Sequence, residues 1–182
     1  FIAAPISQDG DNRAPWTSYD SDLSGLEALC DALSSSGITS VNLAENVFGP
    51  KAVSTLSTRV TWSTAAVERV NVLGNQLGES VDLLIDVFNK TERIRTMLGI
   101  DEGTVNIDLS GRKLDPAYLR LLATELNSTR ATAAVESVDL SKNFFTAPIS
   151  RDGDNRAPWK SYDSDLSGLE ALCDALSSSG IT

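Results

Sequence analysis

Residues 38–46 read ITSVNLAEN, with apolar side chains at Ile38, Val41 and Leu43 ahead of an asparagine at Asn46. The alternation of apolar and polar side chains from Val41 to Leu43 is the periodicity of a β-strand. The asparagine that follows can turn the chain and can bond neighbouring backbone groups through its amide. The stretch therefore predicts a short strand that ends in an asparagine turn.

The same skeleton occurs three more times along the chain. The three stretches are 67–75 (VERVNVLGN), 104–112 (TVNIDLSGR) and 135–143 (VESVDLSKN). Two of them end in Asn75 and Asn143, whereas the third has Arg112 in place of the asparagine. We therefore expect Asn46, Asn75 and Asn143 to occupy equivalent corners and to hold backbone groups that would otherwise lack partners.

Helical patterns alternate with these strands. In residues 24–33, SGLEALCDAL, the apolar residues Leu26, Leu29, Cys30 and Leu33 recur at the spacing of one helix face. Residues 81–88 and 116–126 carry the same spacing, and the second of these begins with a proline, which suits the first turn of a helix. Strand, turn and helix then alternate, so each unit buries its apolar face against the next.

These motifs resemble leucine-rich repeats, and more closely the long ribonuclease-inhibitor-like class. Residues 41–56 (VNLAENVFGPKAVSTL) and 70–84 (VNVLGNQLGESVDLL) carry the resemblance, which covers nearly the whole chain except about 5–22 and 148–165. Residues 88–126 are also similar, more loosely, to leucine-rich proteins of marine algae and other protists. The resemblance implies an α/β leucine-rich-repeat solenoid, with parallel strands on a concave face and helices on a convex face.

A long duplication overlies the short repeat. Residues 1–39 and 144–182 are identical at 35 of 39 positions. The duplication predicts one four-unit cassette over 1–143 and the start of a near-identical cassette over 144–182. We expect the sequence to be a window on a longer array.

Composition excludes several classes of function. The net charge of −10 argues against nucleic acid, whose phosphates require Lys and Arg. The absence of His excludes a histidine general base and histidine-bound zinc. No nucleophile motif, phosphate loop or dinucleotide fingerprint occurs, and no apolar run is long enough to cross a membrane. We expect no enzymatic activity and no organic cofactor.

An acidic segment at 9–22, DGDNRAPWTSYDSD, is a candidate cation site. Its four carboxylates are those of Asp9, Asp11, Asp20 and Asp22. Closely spaced carboxylates suit Ca²⁺, which takes six to eight oxygen ligands. Arg13 and Ala14, however, stand where a calcium loop of the EF-hand type has an oxygen ligand and a glycine. The alternative is that these aspartates form turns and helix caps.

Two further features concern modification and redox state. Asn89 in NKT and Asn127 in NST are N-glycosylation acceptors if the protein is secreted. Cys30 and Cys173 occupy the same position in the two copies, which predicts one small apolar residue per copy rather than a disulfide framework. A free thiol favours a reducing compartment only mildly.

Two functions fit these observations. The first is a structural protein, a fibre or scaffold that associates with itself head to tail. The second is a recognition module, a receptor or adaptor that binds another protein on its strand face. Near-identity between the copies extends to polar surface positions, which favours the first, because each copy then presents the same face. The compartment stays open, with an extracellular fibre slightly favoured over an intracellular scaffold.

Overall fold

The computed structural model describes residues 20–143, 145–146 and 163–179. Within these ranges the helices are α1 (Ser24–Ser35), α2 (Pro50–Arg59), α3 (Val81–Lys90), α4 (Pro116–Ser128) and α5 (Ser167–Ser179). The strands are β1 (Ser40–Asn42), β2 (Arg69–Asn71), β3 (Asn106–Asp108) and β4 (Ser137–Asp139). A 3₁₀ turn at Gly78–Ser80 leads into α3.

The strands form where the skeleton predicts them, and they pair in parallel. Val41 lies opposite Val70 in the β1–β2 pair, and Ile107 lies opposite Val138 in the β3–β4 pair. The register therefore follows the apolar positions of the skeleton. Each strand is three residues long, so each pair contributes little sheet by itself.

The prediction of a leucine-rich-repeat solenoid is wrong. In the described residues the strands form two separate two-stranded sheets, β1–β2 and β3–β4, and no sheet joins β2 to β3. Together with five helices, these sheets make a small mixed α/β domain rather than a repeat array. The break coincides with the longest spacing between skeletons, because 37 residues separate Val70 from Ile107, against 29 between Val41 and Val70.

The longer segment between β2 and β3 ends the first sheet. Its residues Thr96 and Met97 accept hydrogen bonds from the N–H groups of Val70 and Val72, so the segment lies beside β2. On its other side, however, the N–H groups of Met97 and Leu98 donate to the Glu125 carboxylate. These donors are therefore occupied by a side chain instead of by β3.

The helices pack in chain order, α1 on α2, α2 on α3, α3 on α4 and α4 on α5. Each of the first four turns an apolar stripe inward, represented by Leu26, Leu56, Leu84 and Leu122, all fully buried. Burial of one such side chain stabilises a fold by about 1.5–3 kcal/mol. The helices therefore contribute more buried apolar side chains than the described strands, in which only Val70 and Ile107 are buried.

Tyr118 of α4 ties the later part of the chain to the end of β2. Its hydroxyl accepts a hydrogen bond from the Asn75 N–H at 2.8 Å and lies 2.9 Å from the carbonyl oxygen of Val72, to which it can donate. Burial raises the pKa of the Tyr118 phenol, which therefore stays protonated and able to donate. The contact ties α4 to the turn that follows β2.

Candidate functional site

The Asn75 side chain is buried and uses its whole amide on backbone groups. Its Nδ2 donates to the carbonyl oxygens of Leu43 and Val72, both at 2.8 Å. Its Oδ1 accepts from the N–H groups of Asn46 and Phe48, at 3.1 and 3.0 Å. The amide therefore links the end of β2 to the turn that follows β1.

Asn143 has the same role in the second strand pair, and Asn46 does not. Asn143 Nδ2 donates to Leu109 and Leu140 at 2.8 and 2.9 Å, and its Oδ1 accepts from the Leu114 N–H at 3.0 Å. The Asn46 side chain bonds only the carbonyl oxygen of Ala44 within its own turn. Two of the three asparagines therefore make equivalent hydrogen bonds in the structure.

Two of the four candidate calcium ligands lie in the described residues, and both bind backbone. The Asp20 carboxylate accepts from the N–H groups of Gly49 and Lys51 at 2.8 and 2.9 Å. Asp22 accepts from the Ser24 N–H, which lowers the pKa of its carboxyl. Asp9 and Asp11 lie outside the described residues. Among the residues described, no group of three or more metal-ligating side chains comes together.

Asp20 caps a helix that cannot cap itself. Gly49 precedes α2 and has no side chain to accept the first N–H groups of that helix. Asp20 supplies the missing acceptor, and its negative charge also interacts favourably with the positive end of the helix dipole. Its backbone takes a φ of 59°, a left-handed conformation that aspartate tolerates better than most residues.

We expect Asp20→Ala to lower the free energy of unfolding by about 2 kcal/mol without added calcium, because two backbone donors lose a charged acceptor. Thermal denaturation in the presence of a chelator measures the effect. Asp163→Ala is the matched control, since Asp163 is the equivalent residue of the second copy and is exposed. A loss of stability that appears only in calcium-loaded protein would instead indicate a metal ligand.

The two glycosylation candidates lie at the ends of helices. Asn89 is exposed in the last turn of α3, and Asn127 is exposed in the last turn of α4. Asn127 Oδ1 accepts a hydrogen bond from the Ser178 hydroxyl of α5 at 3.0 Å. Both amides are therefore accessible, and glycosylation at either stays a prediction.

Sequence reasoning missed a buried polar cluster around Glu125 of α4. The carboxylate is 1% exposed and accepts from the N–H groups of Met97 and Leu98 and from the Thr96 hydroxyl. Burial raises the Glu125 pKa to about 7, although these donors oppose the shift. The sequence did contain a signal for this cluster: Glu125 lies at helical spacing from Tyr118 and Leu122, so an acid falls on the apolar face of α4.

The two copies of the duplicated helix bury different faces. Helix α1 packs on α2, and its residues Leu26, Cys30 and Leu33 are each 0% exposed. Helix α5 has the same sequence and packs on α4. Among residues 167–178, α5 buries Gly168, Leu172 and Ala175.

Each copy therefore leaves exposed residues that the other copy buries. Gly25 and Ala32 of α1 are exposed, although their counterparts Gly168 and Ala175 are buried in α5. Cys173 of α5 is exposed, whereas Cys30 is buried and its thiol pKa is raised by burial to about 11. The prediction of one small apolar cysteine per copy therefore fits the buried Cys30, whereas Cys173 is exposed.

The chain matches no protein-family model, and no curated protein matches it significantly. The likeness to leucine-rich repeats therefore rests on the sequence pattern alone. None of the helices within the described ranges is long and apolar enough to cross a membrane.

Proposed function

We propose that the chain is a non-enzymatic structural protein that associates with itself to build a fibre or scaffold. One observation carries the proposal: a single helix sequence occurs twice, and each copy leaves exposed residues that the other copy buries. Contacts between two different faces of neighbouring copies are head to tail, and such contacts grow into open assemblies when the rotation does not close. The lack of histidine and of any nucleophile motif supports a non-enzymatic role.

Sedimentation velocity of the 182-residue chain over a wide range of concentrations tests the proposal. We expect the mean sedimentation coefficient to rise with concentration, because association follows mass action. A protein that remains monomeric up to the millimolar range would contradict a self-associating structural role.

Recognition of another protein is the second candidate, and the strand pair β3–β4 favours it. Asn106, Asp108, Ser137 and Asp139 are all exposed, and Asp108 lies opposite Asp139 in the parallel register. Two neighbouring carboxylates on an open surface would attract a partner with basic side chains. A monomeric chain whose binding to a basic protein is abolished by D108N/D139N would favour this function.

A further inference from the structure

The exposed face of α5 has the same sequence as the face of α1 that packs on α2. On α1, this face makes defined polar contacts with α2 and the residues after it. Arg59 of α2 donates two hydrogen bonds of 2.8 Å to the Asp31 carboxylate and lies 3.5 Å from Glu27. The Thr61 N–H donates to the Ser34 hydroxyl at 3.0 Å.

The groups that α1 and the loop before it use in this interface recur on α5 and the loop before it. The counterparts of Asp20, Glu27, Cys30, Asp31 and Ser34 are Asp163, Glu170, Cys173, Asp174 and Ser177. All five of these α5-side residues are exposed. No described residue pairs with the carboxylates of Asp163, Glu170 or Asp174. The α5 surface therefore has the side chains that bind α2 on the α1 surface, but no helix among the described residues occupies it.

The loop that leads into α5 already has the required conformation. Asp163 has a φ of 59°, the same value as Asp20, whose carboxylate caps α2 from that conformation. The turn after it is also shared, because Asp165 accepts from the Ser167 N–H as Asp22 accepts from the Ser24 N–H. Preorganisation of this kind lowers the entropic cost of association.

We infer that helix α2 of a second copy of this chain docks on the exposed face of α5 and takes it in place of its own α1. The inference rests on the self-association proposed above and specifies that α5 of one copy and α2 of another form the contact. In the complex, α5 lies between α4 of its own chain and α2 of the partner copy. Charge complementarity favours this occupant, because Arg59 meets Asp174 and Glu170 as it meets Asp31 and Glu27 within one chain.

The exchange replaces the α1–α2 interface within one chain by an equivalent α5–α2 interface between two chains. Contacts between α1 and α2 are replaced by the same contacts between α5 and α2, since the two helices have the same sequence through their last common turn. Exchange of identical elements between copies is a route to assembly with little enthalpic cost. The displaced α1 segment regains chain entropy, which offsets part of the entropy lost on association.

The face of α1 that would be left over is itself adapted to α4. In α5, a Cβ placed on Gly168 would lie 2.3 Å from the Pro116 carbonyl oxygen, so only glycine permits that approach. Gly25 keeps the same glycine on the exposed face of α1. The α1 helix therefore keeps, on its exposed face, the glycine that close approach to a helix of the α4 type requires.

Thiol reactivity distinguishes exchange from any other mode of association. In the monomer a thiol reagent should alkylate the exposed Cys173 and leave Cys30 unmodified. In the exchanged assembly Cys173 is covered by α2 and Cys30 leaves its buried site, so the order of reactivity reverses. Peptide mapping separates the two cysteines in the wild-type chain, because Lys160 replaces Thr17 and trypsin cuts only the second copy there.

Charge reversal tests the same interface by a second route. We expect D174R to weaken association by about tenfold or more, since Arg59 of the partner copy then meets a cation. E92R is the matched control, because Glu92 is exposed in the turn after α3, away from α5. A mixture of the D174R chain with an R59D chain should associate as strongly as the wild type, whereas each variant alone should associate about tenfold or more weakly.

The outcomes separate this inference from the proposed function. Association in which Cys173 stays reactive, or which D174R leaves unchanged, would overturn the α2–α5 interface and leave self-association intact. A chain that stays monomeric at every concentration would overturn both.

Discussion

Replacement of Glu125 by leucine is expected to lower the free energy of unfolding by about 3–5 kcal/mol. The substitution leaves two buried donors without their acceptor, the Met97 N–H and the Thr96 hydroxyl, and the Leu98 N–H keeps only the Thr96 hydroxyl oxygen at 3.1 Å. Each buried group that loses its partner costs about 1–3 kcal/mol. Urea denaturation monitored by circular dichroism measures the loss, and an effect below about 1 kcal/mol would contradict the role given to this carboxylate.

Glu125→Gln is the matched control, because glutamine keeps one oxygen that can accept from Met97 and Leu98. The two proteins should also differ in their pH dependence. The folded pKa of Glu125, about 7, lies above the ordinary value of 4.5, so the native state holds a proton that the unfolded chain releases. Stability from this group is full below pH 4.5 and declines as the pH rises through 7, by about 3 kcal/mol in all.

The glutamine variant should not show that decline. No histidine titrates in this window, since the chain contains none. Burial also raises the pKa of the Asp115 carboxyl, but Asp115 is present in both proteins and cancels in the difference. Stability curves of the wild type and Glu125→Gln that run parallel from pH 4.5 to 7.5 would show that Glu125 is ionised in the fold throughout.

Replacement of Asn75 by leucine is expected to cost about 3–4 kcal/mol. The amide satisfies two carbonyl oxygens and two N–H groups at a site that is 5% exposed, so water cannot replace it. Only the Val72 carbonyl keeps another partner, the Tyr118 hydroxyl. The loss of several buried partners at 1–3 kcal/mol each gives the estimate of about 3–4 kcal/mol. Thermal denaturation provides the measurement.

The other two asparagines serve as graded controls. Asn143 makes equivalent bonds at a half-buried site, where water can take over some of them, so Asn143→Leu should cost about 1–2 kcal/mol. Asn46 bonds only a carbonyl of its own turn, and Asn46→Leu should cost less than about 1 kcal/mol. Equal losses at all three positions would mean that their shared place in the skeleton, rather than burial, sets their contribution.

Local elements could be predicted from the sequence because their causes are local. The alternation around Val41, Val70, Ile107 and Val138 places the strands, and side-chain alternation is a property of the strand backbone itself. Pro116 marks the start of α4, as a residue with fixed φ and no N–H can do at the first turn. In the same way, the amide of asparagine after a strand indicated the turn that Asn75 and Asn143 make.

The break between the two sheets could not be predicted, because its cause is not local. It depends on the carboxylate of Glu125, which lies 28 residues after Met97 and reaches it only when α4 packs beside α3. The repeating skeleton does not indicate that the Met97 and Leu98 N–H groups donate to a side chain, Glu125, instead of to the next strand. The longer spacing before Ile107 indicated an irregularity, but not that the sheet would end there.

The duplicated helix separates the two kinds of information most clearly. The sequence SGLEALCDALSS by itself determined that a helix forms at both places and that it has apolar side chains on more than one face. Only the tertiary structure decided which face is buried, Leu26 and Cys30 in one copy, Leu172 and Ala175 in the other. The physical reason is that helix formation depends on bonds within the segment, whereas burial depends on the neighbour, which is α2 for the first copy and α4 for the second.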